Sequence, residues 1–292
     1  MPFLREKTGR WSPEKIVAFT AAILPILWLA YRTAIGDLGA RPITEATWFT
    51  GRWTVRFILA ALAISPARRL FSMPKLINAR RTLGVAAFGY ALVHFSLYIV
   101  DQKFRLGVVA TEIALRFYLT IGFTALIGLI ALGSTSTDAA VRRLGPRWTT
   151  LHKAVYVIAM LGVVHFTLQK KLDIYEPTLM MGLLFWLLAY RLLHRFTHAV
   201  GFVWLLALAV FAGVFTALFE AGWYGVLTGV SPQRVLAANL MFDILIRPAW
   251  WVSGAALAVA LASLAAQWLW PREPARAKLH QPIPSPLVGE GG

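Results

Sequence analysis

The sequence predicts an all-α integral membrane protein, and two observations carry that prediction. Hydrophobic residues make up 58% of the 292 residues and charged residues only 14%, whereas a soluble domain carries about 25% charged residues. Apolar windows of about 20 residues recur along the chain, which is the length that spans a bilayer core. Because that core offers no water to backbone groups, each span is expected to be a helix.

Eight segments are predicted to cross the membrane. They are residues 16–35, 47–65, 82–101, 113–133, 149–168, 177–194, 199–219 and 249–270. The second segment is the weakest, because Arg52 and Arg56 interrupt it, and both side chains are expected to reach toward the interface. Residues 235–247 are predicted to form a short interfacial helix. The Pro- and Gly-containing end, residues 271–292, is predicted to be a disordered tail.

The distribution of basic residues predicts the orientation. Most of the 29 Lys and Arg lie in the two terminal segments and in alternate loops. The positive-inside rule places those segments in the cytoplasm, so both termini are predicted to be cytoplasmic. The net charge of +16 is then explained by loops that face anionic membrane lipid. Nucleic acid is not expected as a partner.

The sequence contains no Cys, which restricts the chemistry. Disulfides, iron–sulfur clusters and thiol catalysis are excluded. Any transition metal must therefore be bound by His, Met or oxygen ligands.

Three histidines, His94, His152 and His165, fall inside predicted spans. A lone intramembrane histidine can simply bond to a neighbouring helix, but ionisable groups in spans are functional candidates. His165 lies 13 residues after His152, about 20 Å along a helix axis, so the two are predicted to lie in opposite leaflets. His94 reaches about the depth of His165. These two are a plausible bis-histidine haem site, and His152 would belong to a second haem nearer the cytoplasm.

Two features leave the number of haems open. In an ideal helix, His152 and His165 would point about 140° apart. Moreover, Arg81 occupies the position 13 residues before His94, so His152 lacks a histidine partner at its own depth. One or two haems are therefore compatible with the sequence.

Other residues are candidates for holding a cofactor. Gly84, Gly89 and Ala91 would let a flat macrocycle approach the 82–101 span, or would simply allow close helix packing. Arg81 and Arg116 are candidates to pair with haem propionates or a flavin phosphate. Arg116 is predicted on the outer side, near the expected outer haem.

The residues around these histidines resemble those of a known family. The relevant stretches are Arg80-Arg81-Thr82-Leu83-Gly84, Tyr90-Ala91-Leu92-Val93-His94-Phe95, Arg116-Phe117-Tyr118-Leu119-Thr120, Ser134-Thr135-Ser136-Thr137, Arg142-Arg143-Leu144-Gly145, Leu151-His152-Lys153 and His165-Phe166. Their order resembles the MsrQ family, the haem-binding membrane subunits of periplasmic methionine sulfoxide reductase systems. That family belongs to the wider ferric-reductase-like transmembrane group, and the resemblance covers about residues 15–195.

The resemblance implies a location and a redox role. It implies a bacterial inner-membrane protein that binds haem b through His94, His152 and His165, with FMN as a further cofactor. Electrons would come from the quinone pool or a cytosolic flavin reductase. They would pass to a periplasmic molybdenum-containing subunit, MsrP, which reduces methionine sulfoxide in oxidised periplasmic proteins. The chain would be an electron-transfer subunit, and no catalytic residue is assigned to it.

The resemblance also implies a division of the chain. Residues 1–15 would be a cytoplasmic segment and residues 16–195 a six-helix haem-binding core. Residues 196–270 would add two C-terminal transmembrane helices, and residues 271–292 would form the cytoplasmic tail.

Two alternatives stay open at this point. One is a ferric or quinone reductase-type transmembrane cytochrome b. The other is a transporter or channel in which the histidines relay protons. The latter predicts more carboxylates within the membrane, whereas Asp101 and Glu220 lie at the ends of predicted spans.

Overall fold

Twelve α-helices account for nearly all of the regular structure in the computed structural model, which describes residues 10–197, 199–242 and 245–269. In chain order they are α1 (Pro13–Ala34), α2 (Pro42–Leu70), α3 (Ile77–Asp101), α4 (Leu106–Leu115), α5 (Phe117–Ser134), α6 (Asp138–Leu144), α7 (Pro146–His152), α8 (Val155–Lys170), α9 (Tyr175–Thr197), α10 (Phe202–Thr228), α11 (Pro232–Asn239) and α12 (Pro248–Leu269). The predicted tail at 271–292 lies outside the described residues.

The length and composition of these helices confirm a multi-pass, all-α membrane protein. Seven helical segments of the described chain are long and apolar enough to cross a membrane. They comprise α1, α3 with its preceding turn, α5, α7 together with α8, α9, α10 and α12. Only α2, among the eight predicted spans, is absent from this set. Its arginines lower its apolar character.

Helix α2 nevertheless lies inside the bundle as one unbroken helix of 29 residues. It packs against α1, α3, α8 and α9. Arg56 Nη2 lies 2.5 Å from Glu176 Oε1, and Arg52 Nη1 lies 3.7 Å from the other carboxylate oxygen. The structure thus supplies an acidic partner, at the start of α9, that the sequence pattern did not indicate.

Two predicted spans contain a break. The span predicted to begin at residue 113 begins at Phe117, because Arg116 adopts an extended conformation between α4 and α5. The Thr120 hydroxyl donates to the carbonyl of Ile113 at 2.6 Å, which satisfies a carbonyl left open at the end of α4. The span predicted at 149–168 is divided into α7 and α8 just after His152.

Four helices form the centre of the bundle. Helix α2 packs against both α3 and α8, and α5 likewise packs against both α3 and α8. The four therefore form a ring in which α3 and α8 lie diagonally across from each other. Fully buried side chains such as Leu62 and Val163 belong to the apolar core of this ring.

The C-terminal helices pack on α9 and are joined by an ion pair whose carboxylate is buried. Both α10 and α12 contact α9, and α11 contacts α10. Helix α10 extends to Thr228, so Glu220 lies within it rather than at its end. The Glu220 side chain is 2% exposed and accepts from Arg247 at 3.1 Å and from Asn239 at 2.9 Å. The division of the chain at residue 195 stays a prediction.

Candidate functional site

His94 on α3 and His165 on α8 face each other across the centre of the helix ring. Their ring centroids are 6.4 Å apart and their planes are inclined by 77°. The Nδ1 atom of His94 lies 2.7 Å from the carbonyl oxygen of Thr47, and that of His165 lies 2.7 Å from the carbonyl oxygen of Tyr118. Because a carbonyl only accepts, each Nδ1 carries the proton. Each neutral ring therefore keeps its lone pair on Nε2.

Each histidine ring lies directly against a glycine of the helix that supplies its carbonyl partner. A Cβ atom placed on Gly51 would lie 2.9 Å from His94 Cε1. A Cβ atom on Gly122 would lie 2.7 Å from His165 Cε1. Side chains at these two positions would displace the rings, so the glycines allow the imidazoles to approach the backbone closely.

A cavity of about 280 Å³ contains both rings and is graded in polarity. Apolar side chains that include Val55, Ile58, Leu126 and Leu129 line it on the side nearer the bundle interior. At the opposite end it is lined by the polar side chains Thr44, Asp101, Gln102, Glu112, Arg116 and Tyr118. An apolar cavity with a few convergent polar groups is typical of a cofactor site.

The two imidazoles fit a single metal ion held between them. Imidazoles that share one ion, each with its nitrogen about 2 Å from the metal, place their ring centres about 6 Å apart. The described residues contain no group of three or more His, Asp or Glu that could hold a metal ion. Two histidines in an apolar cavity would therefore suit a haem, whose macrocycle would supply the remaining ligands.

Arg116 lies at the polar end of this cavity. Its guanidinium pairs with the Glu112 carboxylate, donating from Nη2 at 3.0 Å, and Nη1 lies 3.3 Å from the Tyr118 hydroxyl. The Tyr98 hydroxyl lines the same cavity and is buried without a hydrogen-bond partner among the described residues. This end therefore offers one free donor, the Tyr98 hydroxyl, beside a cation that is already paired with Glu112.

Arg81 and His152 lie apart from this cavity, since neither belongs to its lining. Arg81 Nη1 pairs with Asp138 at 2.6 Å on the surface. His152 Nδ1 lies 3.1 Å from the Trp148 carbonyl oxygen, and the His152 ring stacks on the Trp148 ring with 3.9 Å between their centroids. Its Nε2 is buried without a partner among the described residues. Because the helix breaks after His152, the rotation calculated for an ideal helix does not apply between His152 and His165.

The sequence argument missed the residues that hold the two rings. These residues are Thr47 and Gly51 on α2 and Tyr118 and Gly122 on α5. The sequence analysis proposed no site residue on either helix, although Arg116 lies just before α5. Of the small residues noted on α3, Ala91 lines the cavity. Gly84 and Gly89 do not line it, and both face open space.

The fold and the facing histidines define a multi-pass membrane protein with a paired-histidine site inside a helical ring. Residues 50–163 match the family described as the ferric reductase like transmembrane component. No solved structure matches the chain.

Curated relatives make the assignment narrower. A Rhodospirillum rubrum protein named protein-methionine-sulfoxide reductase heme-binding subunit MsrQ is 43% identical over 190 residues, which cover 64% of this chain and 89% of that protein. The proteins of the same name from Agrobacterium fabrum and Brucella anthropi are 40% and 37% identical. Each match covers 63–64% of this chain and 86% of the relative. The chain therefore belongs to the MsrQ family.

Proposed function

We propose that this chain is the haem-binding membrane subunit of a methionine sulfoxide reductase system and holds a haem b between His94 and His165. The observation that carries the proposal is the pair of imidazoles facing across the cavity, each with Nδ1 bonded to a backbone carbonyl. The names of the relatives, which describe haem-binding subunits, agree with it. Haem b, when bound, supplies a one-electron couple at its iron.

The protein's own groups would set the properties of that couple. The carbonyls of Thr47 and Tyr118 hold the two rings in one tautomer and make them stronger donors, which tunes a bound metal. The apolar side chains of the inner cavity exclude water. At the polar end, the Tyr98 hydroxyl is placed to donate to a propionate, and Arg116 would reach one by leaving or sharing its partner Glu112.

The electron route follows from the predicted orientation. With α2 counted as an eighth span and both termini in the cytoplasm, the polar end of the cavity faces the periplasm. Electrons from the quinone pool or a cytosolic flavin reductase would enter from the cytoplasmic side. They would leave for a periplasmic molybdenum-containing partner, MsrP. We place the protein in the bacterial inner membrane.

His152 is the candidate ligand of a second centre near the cytoplasmic side. Its buried Nε2 supports that role, whereas Arg81, paired with Asp138, would have to leave that partner to reach a propionate. FMN is a further candidate cofactor of the system, carried over from the family resemblance.

The first test is the absorption spectrum of the purified protein, oxidised and then reduced with dithionite. We expect the sharp reduced bands of bis-histidine haem b. His94→Ala and His165→Ala should each lose this haem, while His152→Ala should retain it. A colourless wild-type protein after haem supplementation would refute the haem assignment. Equal loss of haem in all three variants would refute the prediction that His152 lies at a different depth from the His94–His165 site.

A second test addresses the partner. The dithionite-reduced haem, freed of excess reductant, is mixed with MsrP and methionine sulfoxide. We expect reoxidation that requires both additions. Reoxidation by a ferric chelate alone, at the same rate as with both additions, would instead favour the ferric reductase alternative.

A further inference from the structure

The arrangement around His94 recurs around His165 at a constant offset along the chain. Each histidine bonds to a carbonyl 47 residues earlier, Thr47 in one case and Tyr118 in the other. Each lies against the glycine one turn after that carbonyl, Gly51 or Gly122. Every member of the second set therefore lies 71 residues after its counterpart.

The local sequence repeats with the same offset. Residues 93–97 read Val-His-Phe-Ser-Leu, and residues 164–168 read Val-His-Phe-Thr-Leu. The only difference is a Ser for a Thr, two residues with the same hydroxyl function. The repeat thus extends beyond the histidines to the helix turn around them.

The helix packing repeats as well. The pair α2 and α3 corresponds to the pair α5 and α8. Between the pairs, α2 contacts α8 and α3 contacts α5. This is the pattern of two parallel repeats related by a two-fold axis along the helices, an arrangement known from other membrane folds. The axis passes between His94 and His165.

Most of the cavity lining obeys the offset. Equivalent lining pairs include Trp48 and Leu119, Thr54 and Ala125, Ile58 and Leu129, and Tyr98 and Gln169. The two walls of the cavity are therefore built from the same positions of two similar hairpins.

The walls differ in volume on the inner side of the histidines. Three residues before each histidine, and so on the same helix face, lie Gly162 and Ala91. Gly162 faces Val55, whose Cγ2 would be 4.0 Å from an added Cβ. The equivalents of these two residues are Ala91 and Leu126. The wall formed by Val55 and Gly162 thus has the smaller residue at both positions. The wall formed by Leu126 and Ala91 has the larger residue at both.

A haem b molecule has a related near-symmetry. Its two propionates lie on one edge, and a half-turn about the axis through that edge exchanges its faces. The half-turn changes only the positions of methyl and vinyl groups. A cavity with the same two-fold axis would accept both orientations almost equally.

Resting on the proposed haem site, we propose that this pseudo-two-fold cavity accepts the macrocycle in two orientations and that the wall of Val55 and Gly162 decides between them. Each half of the macrocycle carries one vinyl and one methyl group at exchanged positions, so the favoured orientation is the one that places a vinyl rather than a methyl group against this roomier wall. Gly162 and Ala91 are therefore positioning residues, which select the face of the macrocycle that each histidine meets.

The test is the proton NMR spectrum of the oxidised full-length protein, reconstituted with haem b in detergent. We expect two unequal sets of haem methyl resonances. Exchanging the pair, with Ala91→Gly and Gly162→Ala together, should move the ratio toward the other set, by about fourfold for each methyl group relocated. The single change Gly162→Ala should bring the ratio closer to one.

A symmetric macrocycle provides the control. Protohaem III has the same substituents on both sides of the axis, so every variant should give one set of resonances with it. A second set there, or an unchanged ratio with haem b in the exchanged variant, would overturn the inference while leaving the bis-histidine spectrum intact. Loss of that spectrum in the wild type would overturn the proposed function as well.

Discussion

Two glycines determine how closely the histidine rings approach the helices opposite. The His94 ring donates to the Thr47 carbonyl and the His165 ring to the Tyr118 carbonyl. Each carbonyl lies one helical turn before the glycine that the ring contacts, Gly51 or Gly122. A ring cannot keep its 2.7 Å bond to that carbonyl if a methyl group fills the space beside it. The placement of the two rings therefore depends on residues that carry no functional group.

We predict that Gly122→Ala weakens haem retention roughly tenfold, since overpacking a tight site costs about 1–3 kcal/mol. The added methyl would push the His165 ring away from the Tyr118 carbonyl. Haem titration of the apoprotein measures the change. Gly89→Ala is the matched control, because that position faces open space. Equal haem affinity in both variants would contradict the steric role of Gly122.

At the scale of the helices, an arginine compensates for a proline inside α2. Pro66 has no N–H, so the carbonyl of Leu62 one turn earlier loses its helical partner. Arg191 Nη2, from α9, donates to that carbonyl at 2.5 Å. Its Nη1 lies 3.3 Å from the Leu187 carbonyl, and the guanidinium lies 5.5 Å from the Tyr156 ring centroid. In a membrane, such a replacement donor is required.

We predict that Arg191→Met lowers the free energy of unfolding by about 1–3 kcal/mol, because it leaves a buried acceptor without a donor. The loss should be smaller in a Pro66→Ala background, where residue 66 regains an N–H. Thermal unfolding of the wild type, both single variants and the double variant forms the cycle. Strictly additive effects would show that the two residues do not share the Leu62 carbonyl.

Over the whole molecule, the C-terminal helices are held by a charge pair far from the histidine cavity. Glu220 joins α10 to Arg247 and to Asn239 of α11, and none of the three lines the cavity. The C-terminal helices therefore have a polar anchor of their own, which can be changed without altering the histidine cavity.

We predict that Glu220→Ala destabilises the protein by about 1–3 kcal/mol, because the buried Asn239 and the partly exposed Arg247 would lose their shared acceptor. The reduced haem spectrum should stay unchanged. Thermal unfolding and the absorption spectrum of one sample report the two properties separately. Glu220→Gln, which keeps an oxygen for Asn239, should lie between the alanine variant and the wild type. An altered haem spectrum would contradict the prediction that the anchor of the C-terminal helices does not affect the histidine cavity.

Composition alone determined that this chain is a helical membrane protein, because apolar windows of about 20 residues have no other stable form in lipid. Residue counting along helices predicts that His94 and His165 lie at about the same depth and suggests that they form a pair. The ring of helices across which they face, the carbonyls of Thr47 and Tyr118, and the room left by Gly51 and Gly122 could not be predicted in this way. Those contacts join residues 43 or more positions apart on different helices, and only helix packing decides which faces meet. The break after His152 and the Glu176 partner of Arg52 and Arg56 depend on packing for the same reason.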